Sequence, residues 1–121
     1  MRHRVAGKKL NRTKDEAKQL RRNLMVSLIL HEKIKTTEAK AEAIRSEVEK
    51  LVTVAKEDTH HHRGLVLSAL ANARATAKLF EVIAPRLIDR PGGYTRMFKL
   101  GQRQGDGAPI VQLEFVGREG A

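Results

Sequence analysis

The sequence predicts an α+β domain in which three to four helices pack on a small, mostly antiparallel sheet with a C-terminal hairpin, preceded by an extended basic arm. Three observations support this. Apolar residues recur at three- and four-residue steps from Ala17 to about Ala84, and the pattern changes to alternation between Tyr94 and Val116. The opening stretch has neither pattern. Helices followed by a hairpin place the helices on one face of the sheet. The expected division is an arm over residues 1–13 and a single domain over 14–121.

The opening stretch, MRHRVAGKKLNRTK, holds Arg2, Arg4, Lys8, Lys9, Arg12 and Lys14 together with His3, and no acid. Such a segment cannot bury enough apolar surface to offset the entropy of ordering it, so any order must come from a partner. Its cations suit a dense polyanion, and Gly7 lets the backbone approach one closely. The whole chain has the same bias: 24 Lys plus Arg oppose 14 Asp plus Glu over 121 residues, for a formal net charge of +10. That balance points to nucleic acid, or to an anionic membrane surface. The membrane-surface reading also needs a basic amphipathic helix with large apolar anchors, and Trp is absent, so nucleic acid is the stronger reading.

No apolar run is long enough for a membrane span, and no apolar core follows the basic start, so neither an anchor nor a secretory signal is expected. A mitochondrial presequence would have to run straight into the first helix without a spacer. The expected location is the cytoplasm. Cysteine is absent, which removes disulfides, thiolate nucleophiles and thiolate metal sites.

Thr13-Lys14-Asp15-Glu16 has the spacing of a capping box, and a helix follows from about Lys14 to His31. Its recurring inward positions are Ala17, Leu20, Leu24, Leu28 and His31, and the nearly all-apolar run Leu24 to Leu30 predicts deeper burial of the second half. Ile34-Lys35-Thr36 is short and β-branched, an extended link able to supply a third strand. Thr37 caps a second helix with an apolar stripe of Ile44, Val48, Leu51, Val52 and Ala55, ending near Lys56. Asp58 to Gly64, with His60, His61 and His62, reads as a polar break. Leu65 to Ala84 is again helical, divisible around Asn72 to Ala75, and Pro85 is expected to turn Ala84 out of the helix. Pro91-Gly92-Gly93 is a turn leading into a strand from Tyr94 to Leu100. Gly101 to Pro109 reads as a loop and Ile110 to Val116 as the second hairpin strand, with Val111, Leu113 and Phe115 on one face.

The candidate contacts group into two clusters besides the arm. Lys18, Arg21 and Arg22, three to four residues apart beyond Lys14, extend the positive field onto the first helix, where they suit phosphates along a groove. Arg90 and Arg96 flank Tyr94, whose ring is expected to stack on a base or ribose, and Lys99 should face the other side of the strand from Arg96. The glycines match no nucleotide-binding loop. Consecutive histidines on a loop do not converge on a metal, and His31 at a helix end is favoured simply by the dipole there. No catalytic constellation, cofactor, metal or small-molecule substrate is expected. The alternatives are a free-standing basic regulator that reads a nucleic-acid groove with its first helix, and a His-dependent metal hydrolase.

The motifs MRHR…GKKLNR, Arg22-Asn23, His31-Glu32-Lys33-Ile34-Lys35-Thr36-Thr37 with Lys40-Ala41, Ala77-Lys78-Leu79-Phe80, Ala84-Pro85-Arg86, Gly92-Gly93-Tyr94-Thr95-Arg96 and Gly105-Asp106-Gly107-Ala108-Pro109 occur in this order. Together they resemble the family of bacterial large-subunit ribosomal protein seventeen over nearly the whole chain. The resemblance implies an α+β fold, binding to 23S ribosomal RNA, and neighbouring large-subunit ribosomal proteins near the nascent-chain exit side, with no catalysis. It implies RNA-facing positions at Arg2, His3, Arg4, Lys8, Lys9, Asn11, Arg12, Arg22, Asn23, Lys35, Thr36, Thr37, Tyr94, Thr95 and Arg96. Asp15 and Glu16 stand where the family has cationic character, and Glu42 where it has a lysine, so those positions are not expected to contact RNA.

Overall fold

The computed structural model describes residues 13–117, and the arm expected over residues 1–13 lies almost entirely outside them. The elements are α1 (Lys14–His31), β1 (Lys33–Thr37), α2 (Glu38–Ala55), α3 (His60–Leu70), α4 (Ala73–Lys78), a π-helical turn (Leu79–Ile83), α5 (Ala84–Arg86), β2 (Thr95–Gln102) and β3 (Pro109–Phe115). The three strands form one antiparallel sheet in the order β1-β3-β2. The α+β class is therefore as the sequence predicts, and the short link after α1 is the third strand.

Both predicted caps form. Glu16 N donates to Thr13 Oγ1 at 3.1 Å while Thr13 N donates to Glu16 Oε1 at 3.2 Å, and Lys40 N donates to Thr37 Oγ1 at 3.3 Å. Between them these caps satisfy backbone donors that a helix start leaves unpaired. The buried seam of α1 is Ala17, Met25, Leu28 and Ile29, rotated from the expected stripe: Leu20 and Leu24 are half-buried and His31 is exposed. The second half of α1 is nevertheless the more deeply buried, as its composition requires.

Two helical boundaries differ from expectation. His60 to His62 are not a break but the first turn of α3, because Thr59 caps it by accepting from His62 N at 3.0 Å. Arg63 then forks onto the Asp58 carboxylate at 2.7 and 2.8 Å, which holds the incoming chain against the helix. Likewise Ala84 stays helical, with φ −61° and ψ −42°, and Pro85 lies inside α5. A proline ring in an α-helix meets the carbonyl four residues back, and the wider π turn before it moves that carbonyl register by one residue. The Ala84 N–H accordingly donates to Leu79 O. The division expected near Asn72 is present: Ala71 closes α3 at φ 52°, and Asn72 Oδ1 caps α4 by accepting from Ala75 N at 2.8 Å.

The hairpin loop is shorter than its glycines suggest. β2 continues through a bulge between Lys99 and Gly101 to Gln102, and the turn is clamped by Arg103 on Asp106 at 2.6 and 3.1 Å. Val111, Leu113 and Phe115 point into one core shared with Ile44, Val48 and Val52 of α2 and Leu28 and Ile29 of α1. All helices therefore lie on one side of the sheet, since the other side of β3 carries Ile110, Gln112 and Glu114, none of which is buried.

Glu32 joins the layers. It takes the left-handed conformation (φ 67°) after α1, and its carbonyl accepts from Phe115 N at 3.2 Å. Its carboxylate accepts from Arg86 Nη1 at 2.6 Å and pairs with Lys78 Nζ at 3.2 Å. The bond from Arg86, against a smaller opposing effect of burial and with help from Lys78, holds this carboxyl below the ordinary glutamate range.

Candidate nucleic-acid interface

The cations expected on α1 come together. Lys14 and Lys18 are exposed, and Lys18, Arg21 and Arg22 border an open groove of about 410 Å³ between α1, α2 and α3. The two arginines are also structural. Arg21 Nε pairs with Glu47 Oε1 of α2 at 3.2 Å, and Arg22 Nε donates to the Ala69 carbonyl of α3 at 3.2 Å. Arg22 and Asn23 further border a second groove of about 460 Å³ beside the α3–α4 junction, where Asn23 Oδ1 accepts from Gln19 Nε2 at 2.9 Å. Of the two acids in the first turn, Glu16 is engaged in the cap and Asp15 is exposed, while Glu42 lies exposed on α2.

The Gly-Gly-Tyr-Thr-Arg run is divided by the fold. Gly93, at φ 63°, swings the chain so that Tyr94 enters the core with 2% of its surface exposed. Its hydroxyl lies 3.1 Å from Thr53 Oγ1, and Lys56 Nζ sits 4.7 Å from the ring centroid while also donating to the Arg90 carbonyl. The interaction with Lys56, then that with Thr53, lowers the phenol's pKa. A ring so enclosed is not available for stacking, which corrects the expectation for Tyr94. Thr95 is also buried, its N–H and Oγ1 both donating to Glu49 Oε2 at 3.2 and 2.9 Å. Arg90, Arg96 and Lys99 remain exposed.

Strand register decides which side each cation faces. Arg96 pairs with Glu114 and Lys99 with Val111, so they lie on opposite faces, as their spacing requires. Thr36 is opposite Val111 and half-buried on the helix side, and the Thr37 hydroxyl caps α2. Lys35 pairs with Gln112 on the outer face. There it meets two residues that the sequence patterns did not single out, Lys33 opposite Glu114 and Phe98 opposite Gln112. The Arg96 guanidinium lies 5.3 Å from the Phe98 ring centroid and its Nε pairs with Glu114 Oε2 at 3.0 Å. Gln112 Nε2 donates to Glu114 Oε1 at 2.8 Å. Burial pushes the Glu114 carboxyl up, but the bonds from Gln112 and Arg96, with the charge of Lys33, outweigh it and keep the group below its ordinary value. The alternation Lys33-x-Lys35 and Arg96-x-Phe98 was the available signal.

Among the described residues no group of His, Asp and Glu is arranged to hold a metal, and no helix is long and apolar enough to cross a membrane. His62 Nδ1 lies 2.9 Å from the Glu57 carbonyl and completes a local turn.

The family model described as ribosomal protein L17 matches residues 20–116, which span α1 through β3. The chain belongs to the ribosomal protein L17 family. It is 59% identical over 116 residues to the large ribosomal subunit protein bL17 of Thermomicrobium roseum, covering 96% of this chain and 99% of that relative. It is 52% identical to the bL17 of Chloroflexus aurantiacus and 51% to that of Chloroflexus aggregans, each over 96% of this chain and all of the relative. L17 proteins are structural proteins of the ribosome and not enzymes, so the family calls for no catalytic site in this chain.

Proposed function

We propose that the chain is a structural constituent of the bacterial large ribosomal subunit in the cytoplasm, binding 23S ribosomal RNA and touching neighbouring large-subunit proteins. Family membership supports the place in the subunit. The observation that carries the RNA reading is the division of α1. Its second half is locked into the core, while its first half, continuous in sequence with the arm, holds Lys14, Lys18, Arg21, Arg22 and Asn23 at or around open grooves. The proposed RNA-facing positions are Arg2, His3, Arg4, Lys8, Lys9, Asn11 and Arg12 in the arm, that row on α1, and Lys35, Arg90, Arg96 and Lys99. Thr36, Thr37 and Thr95 are retained only as backbone contacts, because their side chains serve the fold.

A duplex-reading regulator would have to lay the length of α1 in a groove, and Met25, Leu28 and Ile29 are buried on that helix instead. Deleting Met1 to Arg12 tests the proposal. Helix content and melting should stay near those of the full chain, and affinity for a large-subunit RNA fragment should fall. The salt dependence should flatten by roughly 0.7 to 0.9 in log–log slope for each phosphate no longer neutralised. An unchanged slope would remove the arm from the interface. Failure to co-sediment with large subunits at high salt would remove the whole reading.

A further inference from the structure

The outer face of the sheet is covered by no helix among the described residues. From register it carries Lys33 and Lys35 of β1, Gln112 and Glu114 of β3, and Arg96 and Phe98 of β2. Phe98 is 44% exposed, although Met97 beside it packs on the core. A phenylalanine in the middle of a strand with this exposure lies outside the core, whose β3 side is filled by Val111, Leu113 and Phe115. It is flanked by three cations against one carboxylate, and that carboxylate is already occupied by Arg96 and Gln112.

We infer that this face is a second RNA contact, in which the Phe98 ring with the Arg96 guanidinium over it forms a stacking platform for an unpaired base and Lys33 and Lys35 hold its backbone. Single-stranded RNA is recognised on open antiparallel sheets in this way, by stacking on aromatic rings and guanidinium planes, with cations tracking the phosphates. Charge selects the occupant. A neighbouring protein could cover Phe98, but it would need acids opposite Lys33, Lys35 and Arg96, whereas RNA supplies the negative charge at every nucleotide. The platform also lies away from the α1 groove. Lys18 and β1 are towards opposite ends of an 18-residue helix, about 27 Å long at 1.5 Å per residue. The inference rests on the proposed RNA binding and adds a site of different chemistry to it.

The test uses the full chain and deproteinised large-subunit ribosomal RNA, comparing Phe98→Ala, Phe98→Leu and Phe98→Tyr with a variant in which Arg2, Arg4, Lys8 and Lys9 are alanine. Phe98→Ala and Phe98→Leu should each weaken binding by about ten-fold, the order expected for one stacked base. The salt slope and melting temperature should not change, and Phe98→Tyr should bind as the parent does. The arm variant should instead lose both affinity and slope. Parental affinity for Phe98→Ala, with the arm variant impaired, would overturn the platform while leaving the proposed function intact. Parental affinity for Phe98→Leu would likewise overturn it, since an apolar side chain without a flat ring would then suffice. If Phe98→Ala binds RNA normally but fails to enter reconstituted subunits, the face belongs to a protein neighbour and the inference is wrong. If the unaltered chain does not bind this RNA, the proposed function fails first.

Discussion

The first half of α1 and the outer face of the sheet both present cations, but they hold them in different ways. On α1, Arg21 and Arg22 reach across to Glu47 and the Ala69 carbonyl, so the groove they border is built from the bonds between helices. On the sheet, Lys33 and Lys35 project from the exposed outer face of the edge strand β1, which is held to the core by Ile34 on its other face, so the packing of that strand does not depend on them. A cation's position on a basic protein therefore does not reveal whether it belongs to the fold, to the partner or to both. Where a guanidinium makes an interelement bond, binding and stability are coupled. Where an ammonium stands on a finished sheet, they separate.

The largest test concerns the second half of α1, which holds the two regions apart. Leu28 is fully buried in the core, and Leu28→Ala should destabilise the protein by about 2–5 kcal/mol, read from denaturant unfolding. Near-parental stability would mean that α1 is not anchored and that the two regions do not have a fixed separation.

The next test acts at the junction between α1 and β1. Glu32→Gln removes the charge that Arg86 and Lys78 share and should cost about 1.5–3 kcal/mol, the range for hydrogen bonds to charged groups. The wild-type contribution also depends on pH. The folded carboxyl lies below its ordinary value of 4.5, so its stabilisation is complete above that value and is lost as pH falls through the folded pKa. Acidification below about pH 4.5 should therefore lower the melting temperature of the parent more than that of Glu32→Gln. An equal fall in both would exclude Glu32 as the source.

The smallest effects separate the two regions directly. Arg22→Ala should cost about 0.5–1.5 kcal/mol by removing its bond to Ala69, and it should also weaken RNA binding. Lys35→Ala should leave stability within about 0.5 kcal/mol of the parent while lowering the salt slope of binding. If Arg22→Ala alters only binding, or Lys35→Ala alters stability by more than that, the distinction between a built-in and a projecting cation fails.

Much of the frame was legible because it depends on neighbours in sequence. Thr13, Thr37 and Asn72 are three residues from the N–H groups that their side chains accept. In β3, inward Val111, Leu113 and Phe115 alternate with Gln112 and Glu114, so its core side could be read without a partner strand. The continuation through Pro85 and the start of α3 at His60 were less accessible. The first depends on a π turn that moves a carbonyl away from a ring, whereas the second rests on a cap as local as the others, Thr59 to His62, which the run of polar residues from Asp58 to His62 masked as a break.

Within the interface, the basic row on α1 could be read from its three- and four-residue spacing, because a helix fixes which of its side chains are neighbours. The sheet platform could not. β2 carries apolar side chains at both parities, Met97 and Phe98, so alternation alone does not say which of them faces the core. That choice is made by the register with β3, which sets Met97 opposite buried Leu113 and Phe98 opposite Gln112. Contacts with α2, by contrast, take Tyr94 into the core against Thr53 and Lys56. The sequence by itself thus determined the charge, the elements and their caps, all of which are local. Only the tertiary structure decided which aromatic ring is exposed, because that depends on pairing between strands that are distant along the chain.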